Sequence, residues 1–495
     1  MPSPVLGDLM GLSRPAAAVA GSLALASALT GATAAAPVPA GIPAAPAVLI
    51  SPDAVHVGGG LRTAPTTAYC ERHYQIACYL PGQIQRAFNL PALYRTGITG
   101  KGQTIVIVDS YGSPTIRHDL AVYDRAGHLP APPSLRIIRP AGKIAPYRPD
   151  AGRQGWASET DLDVEYAHTI APRASILLAE TPTAENEGRT GFPWIVKAEE
   201  YVIDHHLGGV ISQSFSATER TFAAPQRLLT LRGAIADAAR KGVTMLAAAG
   251  DSGADDVRYN GSTYYLHQVT SWPDSDPQVT GVGGVQLHLD AAGRPIATAA
   301  VWNDTYNAAA NEFVAGSKGP APLAGGGGES MVFGRPQYQD AVRTVVGARR
   351  GVPDISMSAA CNGAADMFQS FVGQKAGWYP TCGTSEATPE FAGVVALAEQ
   401  QAHRRLGLIN PYLYRLSLLR ARGITDVLRG NNTVSFGQGG KLDTVRGFRA
   451  RRGYDLASGV GTVNARAFVP ELAMLASHPN WSMSRIAAAL RGPGC

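Results

Sequence analysis

Ser385 is the residue whose surroundings most suggest chemistry. It follows Gly383 and Thr384, and strong helix formers continue from Glu386 to Gln401. Pro389 is compatible with this helix because proline is tolerated in an opening turn. A serine hydroxyl in the first turn lies near unpaired backbone N–H groups and the positive end of the helix dipole, which stabilise an alkoxide or an oxyanion. The pattern therefore indicates a nucleophile, with an N-cap serine as the structural alternative.

Two further segments supply carboxyl groups. In the first, Ser158 is a predicted N-cap with Asp161 at the third helical position. Glu159 and Asp163 are four residues apart, so they share one helix face and can share a proton. In the second, Asp251 follows a predicted strand within a Gly-Asp-Ser-Gly sequence. Ordinary first-turn acids and a tight turn are the structural alternatives for these two segments.

The elements that must position these residues alternate along the middle of the chain. Buried strands are predicted at Gln103 to Val108, Ala174 to Ala179, Gly209 to Ser212 and Val243 to Ala249. Helices are predicted at Glu159 to Ile170, Trp194 to His206 and Pro225 to Lys241. This alternation is typical of an α/β fold with a doubly wound, mostly parallel sheet and helices on both faces. Ligands of such sheets bind at the carboxyl ends of the strands.

The order of the motifs resembles that of the sedolisin family, the serine-carboxyl peptidases of subtilisin-like fold. The resemblance runs from about Pro81 to Pro470 and includes the segment around Ser385. The other matching segments are 79–91, 102–109, 162–165, 250–253, 282–284, 326–328 and 350–354. The resemblance implies a subtilisin-like fold and peptide-bond hydrolysis, with endopeptidase cleavage as the family's default.

The resemblance also implies a role for each chemical residue. Ser385 matches the nucleophile, Glu159 the general base that takes its proton, and Asp163 the acid that orients the base. Asp251 matches the carboxyl of the oxyanion hole. A glutamate with a reference pKa of about 4.3 is a base even in mild acid, whereas a carboxyl donates a hydrogen bond only when it is protonated. Both requirements predict optimal activity below neutral pH.

A substrate-binding segment is implied by Ser212, Ser214 and Phe215. These residues fall where the family has Ser-x-Ser-Trp-Gly, a segment that lies beside the substrate backbone and pairs with it as an added strand. Ser216 stands in place of the glycine. The extra side chain leaves the subsite preference open.

One structural Ca²⁺ is also implied by the resemblance. The expected ligands are Asp carboxylates and backbone carbonyls, which supply the hard oxygens that calcium prefers. They are Asp426, Val427, Arg451, Gly453 and Asp455. Tyr454 replaces the usual Trp, and Arg451 replaces a Gly. A turn without a metal is the alternative.

The two ends of the chain differ in composition from the predicted peptidase domain at 69–470. Arg14 precedes an apolar run with a small-residue cleavage site, which predicts a signal peptide at 1–34. Residues 35–68 are rich in Ala and Pro and are expected to form a poorly ordered linker, and 471–495 a C-terminal tail. The linker is too short to fold as the propeptide that family members carry.

Cysteine use and charge limit the compartment and the partners. The spacing of the five cysteines predicts disulfides Cys70–Cys78 and Cys361–Cys382, with Cys495 unpaired and other pairings open. The net charge of +5 is small for 495 residues, and no long Lys/Arg block occurs, so no nucleic-acid partner is expected. We expect a secreted, extracellular monomer that acts on peptide or protein substrates, with no membrane attachment after signal cleavage.

Two alternatives remain open at this point. A histidine-dependent triad would combine Asp109, which resembles the subtilisin-type aspartate, with His118 or His168. His168 follows Glu159 by nine residues, about half a turn round the same helix, so it should face away from the acid pair. The second alternative is a non-catalytic secreted binding protein on a retained peptidase fold. Peptide cleavage compared with that of Ser385→Ala separates this possibility from an enzyme.

Overall fold

The computed structural model describes residues 53–57, 63–185, 191–222 and 224–491. The predicted signal peptide at 1–34, most of the predicted linker and Cys495 lie outside these ranges. The described strands are β1 Asp53–Ala54, β2 Cys78–Tyr79, β3 Thr104–Ser110, β4 Leu135–Ile138, β5 Ser175–Thr181, β6 Val210–Gln213, β7 Ala217–Thr218, β8 Thr244–Ala248, β9 Ser271–Trp272, β10 Thr280–Gln286, β11 Ala300–Val301, β12 Gly328–Gly334, β13 Arg349–Val352, β14 Ile355–Ser358, β15 Ala364–Gln369, β16 Gly377–Cys382, β17 Ile424–Thr425, β18 Val434–Gln438, β19 Lys441–Val445 and β20 Thr462–Val463. The described helices are α1 Thr67–Tyr74, α2 Pro81–Ala87, α3 Leu90–Tyr94, α4 Ile116–Gly127, α5 Ala151–Ile170, α6 Phe192–Asp204, α7 Pro225–Leu229, α8 Gly233–Lys241, α9 Ala308–Ala315, α10 Arg343–Val346, α11 Thr384–Ala402, α12 Asn410–Leu418, α13 Ala465–Ser477 and α14 Met483–Leu490.

A central sheet organises the chain. Its strand order is β11-β10-β8-β6-β3-β5-β4, and β14 also pairs with β10. Every pair in this sheet is parallel except β10–β11. Parallel neighbours place their carboxyl ends at one edge, so the segments that follow β3, β5, β6 and β8 come together there.

Alternate residues of β3 enter different hydrophobic cores. Ile105 and Ile107 pack in the core that contains α5 and α11, whereas Val106 and Val108 pack in the core that contains α6 and α8. Side chains alternate across a strand, and a strand buried on both faces reads as a continuous apolar run. The predicted α/β architecture with helices on both faces is confirmed.

The predicted strands and helices are present, but two helix predictions need correction. The helix predicted from Glu159 begins at Ala151, because Asp150 caps it by accepting a hydrogen bond from the Arg153 backbone N–H at 3.0 Å. Ser158 is therefore an interior residue, not an N-cap. The helix predicted from Pro225 to Lys241 is two helices, α7 and α8, separated by a tight turn.

Parts of both predicted terminal segments contribute to the fold. Within the expected linker, β1 pairs antiparallel with β16, and Val57 is fully buried. Within the expected C-terminal tail, α13 continues past residue 470 and α14 buries Ile486 against the same core as α11. Apolar side chains in these parts of the expected linker and tail therefore have core partners.

Both predicted disulfides, Cys70–Cys78 and Cys361–Cys382, are present. The second joins a segment near the end of β14 to the last residue of β16, directly before Gly383. Across the described ranges, no helix combines the length and apolar character needed to cross a membrane.

Candidate active site

The site is built mainly by two helices, α5 and α11, which pack against each other. Gly393 permits their close approach, since a Cβ at that position would lie 2.5 Å from the Cβ of Ile170. Residues 155–170 of α5 and 384–399 of α11 are buried. The acids of α5 are therefore inside the protein and not on a solvated helix face.

Ser385 lies in the first turn of α11, as predicted. Gly383 precedes the helix at φ 130°, a backbone conformation that side chains disfavour. The Ser385 hydroxyl donates to the carbonyl of Ser214 at 3.4 Å, and the residue is 8% exposed. Ser385 is thus at the buried start of α11, in contact with the segment that follows β6.

Asp163 is buried and interacts electrostatically with two other buried acids, Asp109 and Glu159. The Ser214 hydroxyl donates to Asp163 Oδ1 at 2.7 Å. Burial raises the pKa of Asp163 well above its usual value, the charges of Asp109 and Glu159 raise it further, and the hydrogen bond from Ser214 opposes them. Burial also raises the pKa of Asp109 to about 7, and nearby Glu180 adds to this shift. Such a cluster holds protons near the serine.

Asp251 follows β8 and contacts the start of α11. Its Oδ1 accepts two hydrogen bonds from Thr384, one from the backbone N–H at 2.6 Å and one from the hydroxyl at 2.8 Å. Its Oδ2 lies beside Gly383, where a Cβ would come within 2.7 Å of it. Burial raises the pKa of Asp251, and the two bonds from Thr384 oppose this shift. One oxygen is therefore an acceptor, and the other is the natural position for a proton.

Comparison with known proteins agrees with this geometry. The model of the subtilase family matches residues 150–439, which include all four of these chemical positions. The chain belongs to the subtilase family. Kumamolisin from Bacillus sp. (strain MN-32) is 29% identical over 394 residues, which are 78% of this chain and 62% of that protein. Sedolisin from Pseudomonas sp. (strain 101) is 27% identical over 371 residues, 74% of this chain and 57% of that protein.

Further relatives extend the comparison. Tripeptidyl-peptidase 1 from Bos taurus is 26% identical over 444 residues, 84% of this chain and 69% of that protein. The solved structure of Pseudomonas sedolisin, a serine-carboxyl proteinase complexed with two molecules of pseudo-iodotyrostatin, superposes with a TM-score of 0.64. It is 24% identical and covers 81% of this chain and 99% of its own. The resemblance to the sedolisin family and the subtilisin-like fold are confirmed. The chain spans about three fifths of the length of kumamolisin and sedolisin.

In this subtilase the predicted substrate-binding residues have mostly buried side chains. Ser212 lies within β6 and is fully buried, and Ser214 contacts Asp163 and Ser385. The ring of Phe215 packs 5.8 Å from that of Phe192 in the core. Any contact with substrate by this segment would therefore come from its backbone, which remains a prediction.

The two histidines of the alternative triad lie against other groups. Nε2 of His168 is 2.9 Å from the carbonyl oxygen of Pro130 and 3.2 Å from the carboxylate of Asp124. The imidazole of His118 is largely exposed, with its Nδ1 2.9 Å from Asp119 Oδ1. Ser385 contacts Ser214, which in turn contacts the carboxylate of Asp163.

The five predicted calcium ligands come from two neighbouring segments. Asp426 Oδ2 accepts from the Gly453 N–H at 3.0 Å, and Asp455 Oδ2 accepts from the Arg451 N–H at 2.9 Å. Val427 is buried beside them. Asp426 Oδ1 is buried and has no hydrogen-bond partner among the residues that the structure describes. A buried, unpaired carboxylate oxygen suits a hard cation, whereas both oxygens of Asp455 accept hydrogen bonds from protein groups.

Two contributions were missed by the sequence reasoning. Thr384 was treated only as part of a motif, but it fixes Asp251 through both its N–H and its hydroxyl. Asp109 was considered only for the histidine triad, but it belongs to the acid cluster of Asp163. Both positions lie at strand ends or helix starts on the same sheet edge, and that shared edge is the signal that could have linked them.

Proposed function

We propose that this chain is a secreted serine-carboxyl peptidase that hydrolyses peptide bonds in acid. Ser385 is the nucleophile, Glu159 the general base, Asp163 the acid that orients the base, and Asp251 the carboxyl of the oxyanion hole. The substrate is a peptide or protein, and cleavage is internal by default. Relatives named tripeptidyl-peptidase make cleavage from the amino terminus the second mode.

The observation that carries this proposal is the link between the serine and the acids. Ser214 contacts both partners, because its carbonyl accepts from Ser385 and its hydroxyl donates to Asp163. Thr384, the neighbour of the serine, donates twice to Asp251. Ser385 is therefore linked to Asp163 through Ser214, its neighbour Thr384 is bonded to Asp251, and Glu159 interacts electrostatically with Asp163.

The chemistry follows from these positions. Glu159 removes the proton of Ser385 as the hydroxyl oxygen attacks the substrate carbonyl. The negative charge that develops on the carbonyl oxygen is stabilised by a proton on Asp251 Oδ2, since Oδ1 is engaged by Thr384. Protonated Glu159 then returns its proton to the leaving amine, and water repeats the sequence on the acyl-enzyme.

A structural Ca²⁺ at Asp426 and Asp455 belongs to the same proposal. The unpaired Oδ1 of Asp426 supports it. When bound, the ion would neutralise the two carboxylates and hold the Asp426 segment against the Gly453 turn. Its role is stability, because no side chain of the acid cluster contributes to this donor set.

The test is peptide cleavage by the wild type and by Ser385→Ala at about pH 3–6. We expect Ser385→Ala to lose cleavage while keeping its melting temperature, and Ser417→Ala on α12 to behave as wild type. Mass spectrometry of the acid-quenched wild type should detect an acyl group on Ser385. Full activity in Ser385→Ala would refute the proposal, and an inactive wild type would favour a binding protein.

A further inference from the structure

A cavity lies at the same sheet edge as the acid cluster. Its volume is about 320 Å³, enough for one amino-acid side chain and some water. The turn after β3, at 111–114, forms one wall, and the segment after β4, at 139–147, forms the other. Arg153, in the first turn of α5, and Glu180, near the end of β5, complete the lining.

The lining is positively charged. Arg139, Lys143 and Arg153 contribute three cations, and Glu180 is the single carboxyl of the lining. Arg139 Nε donates to Glu180 Oε2 at 2.7 Å, so these two charges offset each other. Lys143 is exposed and lines the cavity, and no carboxylate of the described residues forms an ion pair with it. The cavity therefore favours an anionic group.

The position of Arg153 is fixed by its neighbours. Its Nη1 donates to the carbonyl of Ala145 at 3.0 Å, and its guanidinium lies 4.4 Å from the centre of the Tyr111 ring. Its Nε is 3.8 Å from the exposed carboxylate of Asp150, a contact that weakens but does not cancel its charge. A held guanidinium recognises a carboxylate with little loss of side-chain entropy.

The wall formed by the turn after β3 is also fixed. Tyr111 has φ 63°, and its hydroxyl accepts from the Ala184 N–H at 2.9 Å. Gly112 lies directly on Glu180, where a Cβ would come within 2.0 Å of Oε1. The cavity is therefore formed before any ligand binds, which favours recognition of a specific group.

Two independent measures relate this cavity to the acid pair. Arg153 precedes Glu159 by six residues on α5, a rise of about 9 Å. Glu180 on β5 is two strands from β6, which leads to Ser214, a spacing of about 10 Å. An extended peptide advances about 3.3 Å per residue. A substrate bound at Ser385 would therefore reach the cavity with a residue about three positions from the scissile bond.

We propose that this cavity is a subsite for an acidic side chain, and that the enzyme prefers peptides with Glu or Asp about three residues from the cleaved bond. The preference for cleavage rests on the proposed function, but the binding preference does not. Lys143 and Arg153 are the specificity-determining residues. Arg139 has a positioning role, because it holds the carboxyl of Glu180 away from the bound acid.

The experiment measures binding of labelled peptides to Ser385→Ala, so that no turnover is needed. Each pair of matched peptides differs only in having Glu or Gln at one position, and the pairs together cover every position within three residues of the scissile bond. Binding is measured at about pH 5.5, where Glu is ionised. We expect the Glu peptide to bind about fivefold more tightly at one position, as for one partly exposed charge pair. Lys143→Glu should abolish this preference, because the new carboxylate offsets the remaining charge of Arg153. Arg148→Glu makes the same charge change on an exposed residue of the same segment that does not line the cavity, and should leave the ratio unchanged.

The outcomes separate the two proposals. Equal binding of Glu and Gln peptides at every position, or equal effects of Lys143→Glu and Arg148→Glu, would overturn the subsite. A Lys143-dependent preference in Ser385→Ala, together with an active site that cleaves nothing in the wild type, would keep the subsite and reject the peptidase. High salt should reduce the preference, because exposed charges are screened.

Discussion

Removal of the Ser214 hydroxyl should move the acid limb of the pH–rate profile to higher pH. The hydroxyl donates to buried Asp163 at 2.7 Å, and it is the interaction that lowers a pKa otherwise raised by burial, Asp109 and Glu159. A hydrogen bond to an ionised group contributes about 1.5–3 kcal/mol. Ser214→Ala should therefore raise the apparent pKa of the Glu159–Asp163 pair and lower kcat/KM on the acid limb by about 10- to 150-fold, the rate equivalent of this energy.

The assay is kcat/KM for a fluorogenic peptide from about pH 2.5 to 7. Activity requires the pair to lose a proton, so a raised pKa moves the rising limb to higher pH while the falling limb stays in place. Ser435→Ala, which removes a buried hydroxyl in the β18–β19 hairpin, is the control for general effects of such a change. If folded Ser214→Ala keeps the wild-type acid limb, then Ser214 does not stabilise the charge of the pair.

Three other predictions use the same structure. Asp251→Asn should retain part of the activity and flatten the alkaline limb, because an amide donates at every pH; an unchanged limb in kcat/KM would contradict the role of the carboxyl. Chelation should lower the wild-type melting temperature, whereas Asp426→Asn, which can still accept from Gly453, should lose this sensitivity; a chelator-insensitive wild type would argue against the ion. Burial raises the pKa of Glu199 from 4.5 to about 8, so its contribution to stability is present below pH 4.5 and is lost as pH rises toward 8. Glu199→Gln should therefore remove about 2–3 kcal/mol of the stability that the wild type loses between pH 4.5 and 6.5, as measured by urea unfolding. If the free energy of unfolding changes with pH as it does in the wild type, Glu199 is ionised in the native protein.

The sequence predicted the central sheet well because its strands are continuous apolar runs with turn residues between them. It placed the start of α5 eight residues too late. Ser158 looks like a cap, but Asp150 has that role, and the intervening Gly155 is buried and does not end the helix. The sequence also did not reveal that α5 is buried. Its carboxyl side chains suggest a solvent-exposed face, but residues 155–170 of the helix are buried on all sides.

The residues of the candidate site were proposed from the sequence, but the contacts between them were not. Resemblance indicated Ser385, Glu159, Asp163 and Asp251, and the structure gathers the segments that contain them. The role of Ser214 could not be read from the sequence, because its partner Asp163 is 51 residues away and the contact depends on how β6 ends against α5. The same holds for Thr384, whose partner Asp251 lies on another strand end.

The contact of Gly393 with Ile170 has a consequence for how relatives are classified. Gly393 lies eight residues beyond Ser385 on α11, roughly 12 Å along that helix. Ile170 lies eleven residues beyond Glu159 on α5, roughly 16 Å along that helix. In the proposed mechanism, the separation between nucleophile and base therefore depends in part on packing more than two helical turns away from either residue. A displacement of 1 Å at reacting groups can cost about 100-fold in rate. A relative that keeps every chemical residue but has a larger side chain at this crossing could be inactive, so motif matching alone would overcount active peptidases.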